Sequence, residues 1–529
     1  VVTSRPAGGR AAGPIAGVAA VVLGSGAGEL SAALLAPGSS PFAAIGGALI
    51  DAAPSWAKDA AIGLFGTGDK AALLVGIALV LLVVAAAAGV LEARRPPWGR
   101  VVFAALGIAG AVAALSRADA GLLSWLPSVI AGGLGAAALL VLLRRRVAPA
   151  RSDEKASAAA SSDPRMAPAD PAALDRRRFL VWSGGAAVLG LLAVAGGSAL
   201  RAGSRSVEAV RGMLRLPSAA TTAASVPAGA ELDLTGLAKV VTPNDAFYRI
   251  DTALIVPQVD PADWSLRIHG MVEKEVTLRW DELLALPLEE SYTTLSCVSN
   301  TVGGDLIGNA LWLGYPIREL LARAVPSADA DMVLSHSIDG FTASTPLDVL
   351  QDRDRASILA VGMNGEPLPV EHGFPVRMVV PGLYGYVSAT KWVTELEVTR
   401  FDKVTAYWTT RGWSDRGPIK LQSRIDVPRR NQGLSPGDTV IAGVAWQPHV
   451  GVSKVEVQID GGAWREATLA TAISDDTWVQ WSIPWTAEAG DHAIRCRATN
   501  AGGETQTETD AWPAPDGATG WQQLNITVA

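Results

Sequence analysis

Hydrophobic positions are spread unevenly along this chain of 529 residues. In its first part they run together: Ala11–Leu35, Ala71–Leu91, Val101–Leu115, Leu122–Leu143 and Phe179–Leu200 are apolar on every side and rich in Ala, Gly, Val and Leu. About 20 apolar residues cross a bilayer core as a helix with every backbone polar group bonded internally, so these runs predict transmembrane helices. A helix buried in a globular core alternates with a polar face, and these do not. Val101–Leu115 is short for a span, and Glu29 requires a place facing the bundle or the interface.

Beyond Leu232 the texture changes to short strands, turns and single amphipathic helices. Trp264–Gly270, Val376–Pro381 and Trp392–Val398 read as strands. Trp280–Ala285 and Pro316–Ala324 read as helices, the second with Ile317, Leu320 and Leu321 on one face. This α+β block ends near Arg400. From Asp438 onward, Val440–Ala445, Lys454–Ile459, Trp478–Ile483, His492–Ala498 and Gln522–Val528 alternate as strands between Gly-rich turns. Short strands at regular spacing over about 90 residues predict an immunoglobulin-like β-sandwich.

Charge divides the chain at the same place. Residues 1–200 hold 17 Lys and Arg against 11 Asp and Glu, leaving 27 against 40 in the rest, so a basic apolar part is joined to an acidic one. The acidic region repels phosphate and argues for no nucleic acid as partner. The two cysteines exclude a disulfide scaffold. Cytoplasmic loops collect Lys and Arg. Arg5 and Arg10 precede the first run, Arg94, Arg95 and Arg100 separate the second from the third, and Arg144, Arg145 and Arg146 follow the fourth. The alternate loops hold Lys58 and Lys70 beside Asp51, Asp59 and Asp69, then Arg117 beside Asp119. This pattern puts the N-terminal end inside and everything beyond the fifth run outside the cytoplasm.

Residues 147–178 are rich in Ala, Ser, Pro and Asp without apolar periodicity and read as a flexible cytoplasmic linker. The linker ends in Arg176-Arg177-Arg178-Phe179-Leu180, which resembles the twin-arginine export signal and equally satisfies a positive-inside anchor. No His or Cys precedes His269, so the apolar part lacks the usual axial ligands of a haem.

Three strings carry candidate chemistry. Cys297 sits where an apolar strand meets a loop, in Thr294-Leu295-Ser296-Cys297-Val298-Ser299-Asn300. Such a thiol is either a buried structural cysteine or a ligand. Cys496 lies in a sandwich strand and reads as structural; a Cys297–Cys496 disulfide would require the two domains to bring these strands together. The string from Glu371 to Trp392 joins His372, Arg377 and Lys391 to the Gly-rich loop Pro381-Gly382-Leu383-Tyr384-Gly385, suited to an anion held by backbone N–H groups and a guanidinium fork. In Asn244-Asp245-Ala246-Phe247-Tyr248-Arg249-Ile250-Asp251, Arg249 either binds an oxyanion or pairs with Asp251 at the surface.

Taken in order, these strings resemble the sulfite oxidase family of molybdenum enzymes. His372 through Arg377 to Lys391-Trp392 looks like its pterin-binding segment, and Ser296-Cys297-Val298-Ser299-Asn300 followed by Gly308-Asn309-Ala310-Leu311-Trp312-Leu313-Gly314 resembles its metal-ligating cysteine and the pattern after it. Gln422-Ser423-Arg424-Ile425-Asp426-Val427-Pro428, Gly443-Val444-Ala445-Trp446 and Asp460-Gly461-Gly462-Ala463-Trp464 resemble its immunoglobulin-like dimerisation domain. The resemblance covers residues 240–529 and implies an α+β molybdopterin-binding domain and a C-terminal immunoglobulin-like β-sandwich, which follow the transmembrane α-helical bundle expected from the apolar runs. The expected divisions are a four-helix region at 1–146, the linker at 147–178, a fifth helix at 179–200, the catalytic domain at 230–425 and the dimerisation-type domain at 426–529.

By the same resemblance Cys297 is the metal ligand, supplying its thiolate to the molybdenum of molybdopterin. Arg249 is the second catalytic residue and faces the substrate oxyanion. Asn244, Phe247, Tyr248, Ser337, His372, Arg377, Ser388, Thr390 and Lys391 hold the cofactor, with His336 or Trp312 helping to orient the substrate. Two departures argue against sulfite: Ser299-Asn300-Thr301-Val302 lacks the family's two arginines, and Phe341 stands where its active-site tyrosine belongs. Each lost charged contact removes about 1.5–3 kcal/mol of recognition. The expected protein is a multi-pass cell-membrane enzyme whose catalytic domain lies on the extracytoplasmic side and transfers an oxygen atom on a small S- or N-containing substrate. Its expected partners are that small molecule, the lipid bilayer, a separate electron-transfer protein and a second copy in a homodimer. The alternative is a membrane-anchored immunoglobulin-like binding protein whose α+β domain is degenerate and cofactor-free.

Overall fold

The computed structural model describes residues 11–36, 38–54, 64, 69–117, 120–147, 171–203, 207–430 and 432–529. Arg5, Arg10, Lys58, Asp59, Asp119 and linker residues 148–170 lie outside the described residues. The chain divides into two units, Val1–Ser206 with Ala253–Ile255, and Val207–Thr252 with Val256–Ala529.

The first unit is helical: α1 Ala12–Leu35, α2 Pro41–Ala52, α3 Asp69–Arg94, α4 Trp98–Leu115, α5 Leu126–Val147 and α6 Pro171–Gly203. Small residues let these apolar helices approach backbone to backbone. A Cβ on Gly17 would strike the Ala85 carbonyl of α3, one on Gly24 the Ala131 carbonyl of α5, and one on Gly26 the Gly190 carbonyl of α6. Three faces of α1 are therefore fitted to three neighbours. Val80, Val83, Leu191 and Leu192 point outward, each more than half exposed. Glu29 is buried and accepts a 2.7 Å hydrogen bond from Ser40, whose oxygen also caps α2 by accepting from the Ala43 N–H at 3.3 Å. Five of these helices are long and apolar enough to cross a membrane.

Three details differ from the sequence pattern. The loop before the second run contains α2, whose 12 residues are too few to span a bilayer core. The third run starts earlier, at Trp98, and its 18 residues reach about 27 Å at about 1.5 Å per residue. The linker expected to run to residue 178 gives way to α6 at Pro171, because proline suits a first helical turn and the apolar run propagates the helix backward. Arg177 and Arg178 consequently ride on a helix.

The second unit begins with a short helix, Val207–Met213, and continues with β1 Ser265–Gly270, β2 Val276–Arg279, β3 Glu289–Ser296, β4 Ile307–Pro316 and β5 Met332–Ser337. Next come β6 Thr342–Pro346, β7 Ile358–Met363, β8 Glu366–Pro367, β9 Arg377–Val379 and β10 Val393–Thr399. One sheet runs β2-β1-β10-β5-β6, with β1 parallel to β10; the other runs β3-β4-β7-β8, with β9 added to β7. The helix Ile317–Ala324 buries Ile317, Leu320, Leu321 and Ala324, the face its periodicity marks. Leu295, Trp312, Ile358, Ala360 and Phe374 pack with Phe247 into the core beneath the second sheet.

The rest is β: β11 Gln422–Val427, β12 Gly437–Trp446, β13 Val452–Ile459, β14 Arg465–Glu466, β15 Thr468–Leu469, β16 Val479–Ala487, β17 Gly490–Asn500 and β18 Gln523–Val528. They form two antiparallel sheets, β11-β12-β16-β15 and β14-β13-β17-β18, around one core that includes Ile441, Val455, Trp481, Ile494 and Cys496. A boundary between 425 and 426 cuts through β11, whose Ser423 pairs with Ala445 of β12. The segment from 230 also belongs with these sheets at first, since Leu237 packs on Val427 and Ala442. Both cysteines are free; Cys496 accepts a 3.3 Å hydrogen bond from Ser423 inside this core and is not joined to Cys297.

Overpacking typically costs about 1–3 kcal/mol. Gly17→Ala should therefore lower the melting temperature of the purified chain. Gly76→Ala, whose Cβ meets nothing within 4 Å, should leave it unchanged or raise it.

Candidate functional site

The β3–β4 hairpin presents Cys297. Its N–H bonds the Leu306 carbonyl at 2.9 Å, and its carbonyl accepts from the Asn300 N–H at 3.1 Å. The Asn300 side chain then accepts from the Leu306 N–H at 3.0 Å, which closes the turn after the cysteine. Burial pushes the Cys297 thiol up from its ordinary pKa, opposed by hydrogen bonds from Ser299.

The Gly308-Asn309-Ala310 pattern on β4 has a mechanical explanation. Asn309 donates to the Val240 carbonyl at 2.8 Å, and its own N–H donates to Thr242 at 3.1 Å. These bonds pin the segment that leads to Asn244, Phe247, Tyr248 and Arg249. Gly308 leaves room for the Phe247 ring, which a Cβ would approach to 2.7 Å. Phe247 stacks on Tyr248 at 5.3 Å and stands edge-on to Trp312 and His372 at 5.8 and 5.6 Å. Trp312 is wholly buried, and its indole donates to the Thr293 carbonyl at 3.1 Å. It forms a floor beneath Arg377.

The cations come from the next loop. Arg377 and Lys391 pair as an isolated antiparallel bridge, which sets them side by side. Gly373 lies against both: it holds a φ of 111°, and a Cβ there would come within 3.0 Å of the Arg377 Cβ and 3.1 Å of the Lys391 Cβ. Arg377 is 5% exposed, stacks over Trp312 at 5.1 Å and donates to the carbonyls of His372 and Met378 at 3.1 and 3.3 Å. Among the described residues no carboxylate forms an ion pair with it. Burial lowers its pKa to about 10.

Lys391 Nζ donates to Asp251 Oδ2 at 2.8 Å and to the Glu371 carbonyl at 3.0 Å. Burial lowers it to about 8, with Asp251 opposing the shift. Trp392 holds φ 50°, costly for a bulky residue, secured by its indole bond to the Val370 carbonyl at 3.1 Å. His372 donates from Nε2 to the Asn244 carbonyl at 3.3 Å, and burial, Arg377 and Lys391 lower its pKa to about 3. Tyr248 joins the thiol to these cations: burial and Cys297 push its hydroxyl up, and Arg377 opposes.

Tyr248 thus feels the charge of both Cys297 and Arg377, and His372 and Lys391 feel that of Arg377 and Arg249, with Asn244 and Phe247 alongside His372. Thr390 is buried next to the cations and shares a 2.7 Å hydrogen bond with Ser335. Ser388 is turned into its own loop, donating to the Tyr384 carbonyl at 2.9 Å. Ser337 opens the turn that ends at Phe341, to whose carbonyl it donates at 2.9 Å, and the Phe341 ring rests on Tyr407. His336 is engaged by Glu397 at 3.4 Å. Arg249 takes the ion pair with Asp251 at 2.9 Å. That carboxylate, 3% exposed, is the site residue that sequence reading left at the surface. The Arg-x-Asp spacing was its signal, since residues two apart share a face of extended chain.

A family model described as oxidoreductase molybdopterin binding domain matches residues 253–408. The mitochondrial sulfite oxidase of Macaca fascicularis is 28% identical over 341 residues, 55% of this chain and 62% of that one. The uncharacterized oxidoreductase YuiH of Bacillus subtilis is 33% identical over 158 residues, 30% of this chain and 76% of that one. Among solved structures, the sulfane dehydrogenase SoxCD from Paracoccus pantotrophus aligns over 54% of this chain and 81% of that one, at 24% identity and a TM-score of 0.49. The chain spans 58% to 62% of the primate sulfite oxidases it matches.

His372 titrates at 6.5 when unfolded and at about 3 when folded, so the unfolded chain binds more protons between those values. Stability contributed by the neutral ring is complete above the unfolded value and falls as pH drops through that window. His372→Asn should flatten this part of the pH dependence of the melting temperature relative to the unsubstituted chain.

Proposed function

The chain belongs to the sulfite oxidase family of molybdopterin-binding oxidoreductases, and on that premise we propose a membrane-anchored, extracytoplasmic enzyme that moves one oxygen atom to or from a small S- or N-containing substrate. The observation that carries this reading is the buried Arg377 guanidinium, held by backbone carbonyls, and the buried free thiol of Cys297, both acting on the Tyr248 hydroxyl. A buried cation without a counter-charge is costly. The phosphate of the pterin cofactor would supply the missing anion, and a soft sulfur suits a redox metal.

The residues present fit the cofactor in named roles. Cys297 would ligate molybdenum through Sγ, while Arg377 and Lys391 would hold the phosphate. Asn244, Phe247, Tyr248, His372 and Thr390 would line the pterin, with Ser337 and Ser388 shaping the turns around it. When bound, the cofactor supplies two-electron chemistry that takes up or releases one oxygen atom. Written as an oxidation, substrate and water give the oxide, two protons and two electrons. His372, neutral at physiological pH, donates its hydrogen bond without adding charge.

The electrons pass to or from a separate protein. Carboxylates engage His269, His336, His449 and His492, each cysteine is buried singly, and among the described residues no cluster of His, Cys, Asp or Glu offers a second metal site. The membrane anchor is supported by the five long apolar helices and by arginines at alternate ends of the runs. Export of a folded, cofactor-loaded domain is supported by the Arg176–Leu180 string. The two C-terminal sheets read as an immunoglobulin-like sandwich through which two copies pair.

Metal analysis of the purified full-length chain should find about one molybdenum per chain, and Cys297→Ser should abolish turnover of S- or N-oxides with a dye electron donor. Metal-free protein with Cys297 intact would sink this reading. Truncating one partner of a buried charge contact costs about 2–5 kcal/mol. Arg377→Ala should accordingly lose most of its bound pterin, read by fluorescence after extraction.

A further inference from the structure

The cations at the site are already shared out. Asp251 Oδ2 receives Arg249 Nε at 2.9 Å and Lys391 Nζ at 2.8 Å, so one carboxylate oxygen holds two cations. The acid is 3% exposed and Arg249 is 41% exposed: a buried anchor tethers a guanidinium at the rim. A second carboxylate stands close by, since Thr252 donates to Asp339 Oδ2 at 3.3 Å. The turn after the thiol contributes no cation, because residues 298–304 carry no charged side chain and Asp305 follows them. His372 adds none either, being neutral.

Arg249, Arg377 and Lys391 against Asp251 leave two positive charges. A phosphate monoester carries about −1.5 to −2. With the phosphate in place, the site keeps at most about half a positive charge for a dianionic substrate, and Asp339 makes the rim more negative still. An uncharged reacting group meets no such penalty, since it brings no charge to be neutralised.

We propose that Asp251 is a positioning residue that sets substrate charge: by clamping Arg249 and Lys391 it excludes dianionic oxyanions and reserves the site for substrates whose reacting S- or N-centre is uncharged. The proposal rests on the oxygen-transfer reading for its substrates, while the electrostatic clamp is measurable separately. Asp251→Asn removes one negative charge and keeps the side chain's size, so Arg249 gains freedom to meet an incoming anion.

The test uses the metal-loaded, full-length protein in detergent, with sulfate as the binding probe and dimethyl sulfoxide as the neutral substrate. By calorimetry, the unsubstituted protein should show no sulfate binding at millimolar concentrations. Asp251→Asn should bind sulfate at least about tenfold more tightly, equivalent to about 1.4 kcal/mol. Sulfate should then compete with dimethyl sulfoxide and raise its apparent KM at unchanged kcat, a split that a general loss of structure would not produce. Asp251→Glu should restore sulfate exclusion, and adding Arg249→Ala to Asp251→Asn should abolish the gained binding.

Unchanged sulfate affinity in a folded Asp251→Asn variant overturns the proposal. So does sub-millimolar sulfate binding by the unsubstituted protein, a measurement that stands even if the variant fails to fold. Absence of molybdenum, or of turnover with any S- or N-oxide, instead defeats the oxygen-transfer reading; in such cofactor-free protein the clamp is decided by whether Asp251→Asn still binds sulfate more tightly than the unsubstituted chain and loses that gain when Arg249→Ala is added.

Discussion

A guanidinium withdrawn from water must be compensated, and Arg377 is compensated on one side only. Backbone carbonyls of His372 and Met378 and the face of Trp312 receive it, while no carboxylate among the described residues does. Much of the surrounding structure serves to hold that cation in place. The Arg377–Lys391 bridge sets two charges together against their mutual repulsion, and Gly373 permits the approach. The strained backbone of Trp392 is held by its indole bond. Such an arrangement costs stability without an anion and is repaid by binding one.

The C-terminal sheets do more than extend the chain. Trp478 of the segment before β16 donates from its indole to the Val240 carbonyl at 2.8 Å, and its N–H bonds Thr294 at 2.8 Å. Thr294 in turn donates its N–H to the Asp476 carbonyl at 3.0 Å. Arg424 of β11 reaches the Gly304 carbonyl at 2.9 Å. The strand carrying Cys297, the turn after it and the segment leading to Arg249 are all fastened to the same sheets. The thiol and Arg249 therefore share one support, the kind of shared scaffold that a precise site needs.

Legibility followed the range of the physics involved. Apolar runs, the face of the Ile317–Ala324 helix and the strands of the C-terminal sheets depend on local periodicity, and they were readable to within a few residues. The edges were harder: β11 belongs to β12 by pairing across sequence, and α6 reaches back to Pro171 because helices propagate past their apolar segments. Among site residues, Cys297, Arg377, His372 and Lys391 stood out by type and motif. Asp251 did not, since an acid two residues from an arginine normally signals a surface pair, and only the arrival of Lys391 from 140 positions away makes it a buried hub. Ser388 shows the reverse: its motif marks it for the cofactor, but its hydroxyl is spent on its own loop.

By itself the sequence determined where the chain is apolar, how its charges divide, and which side chains have the chemistry to bind a metal and an anion. Those are properties of composition and of neighbours a few residues apart. Tertiary structure alone decided which cation is left without a carboxylate and which is clamped. Pairing of that kind is settled over a few ångströms in space, between segments as distant as Asp251 and Lys391, and no local pattern records it.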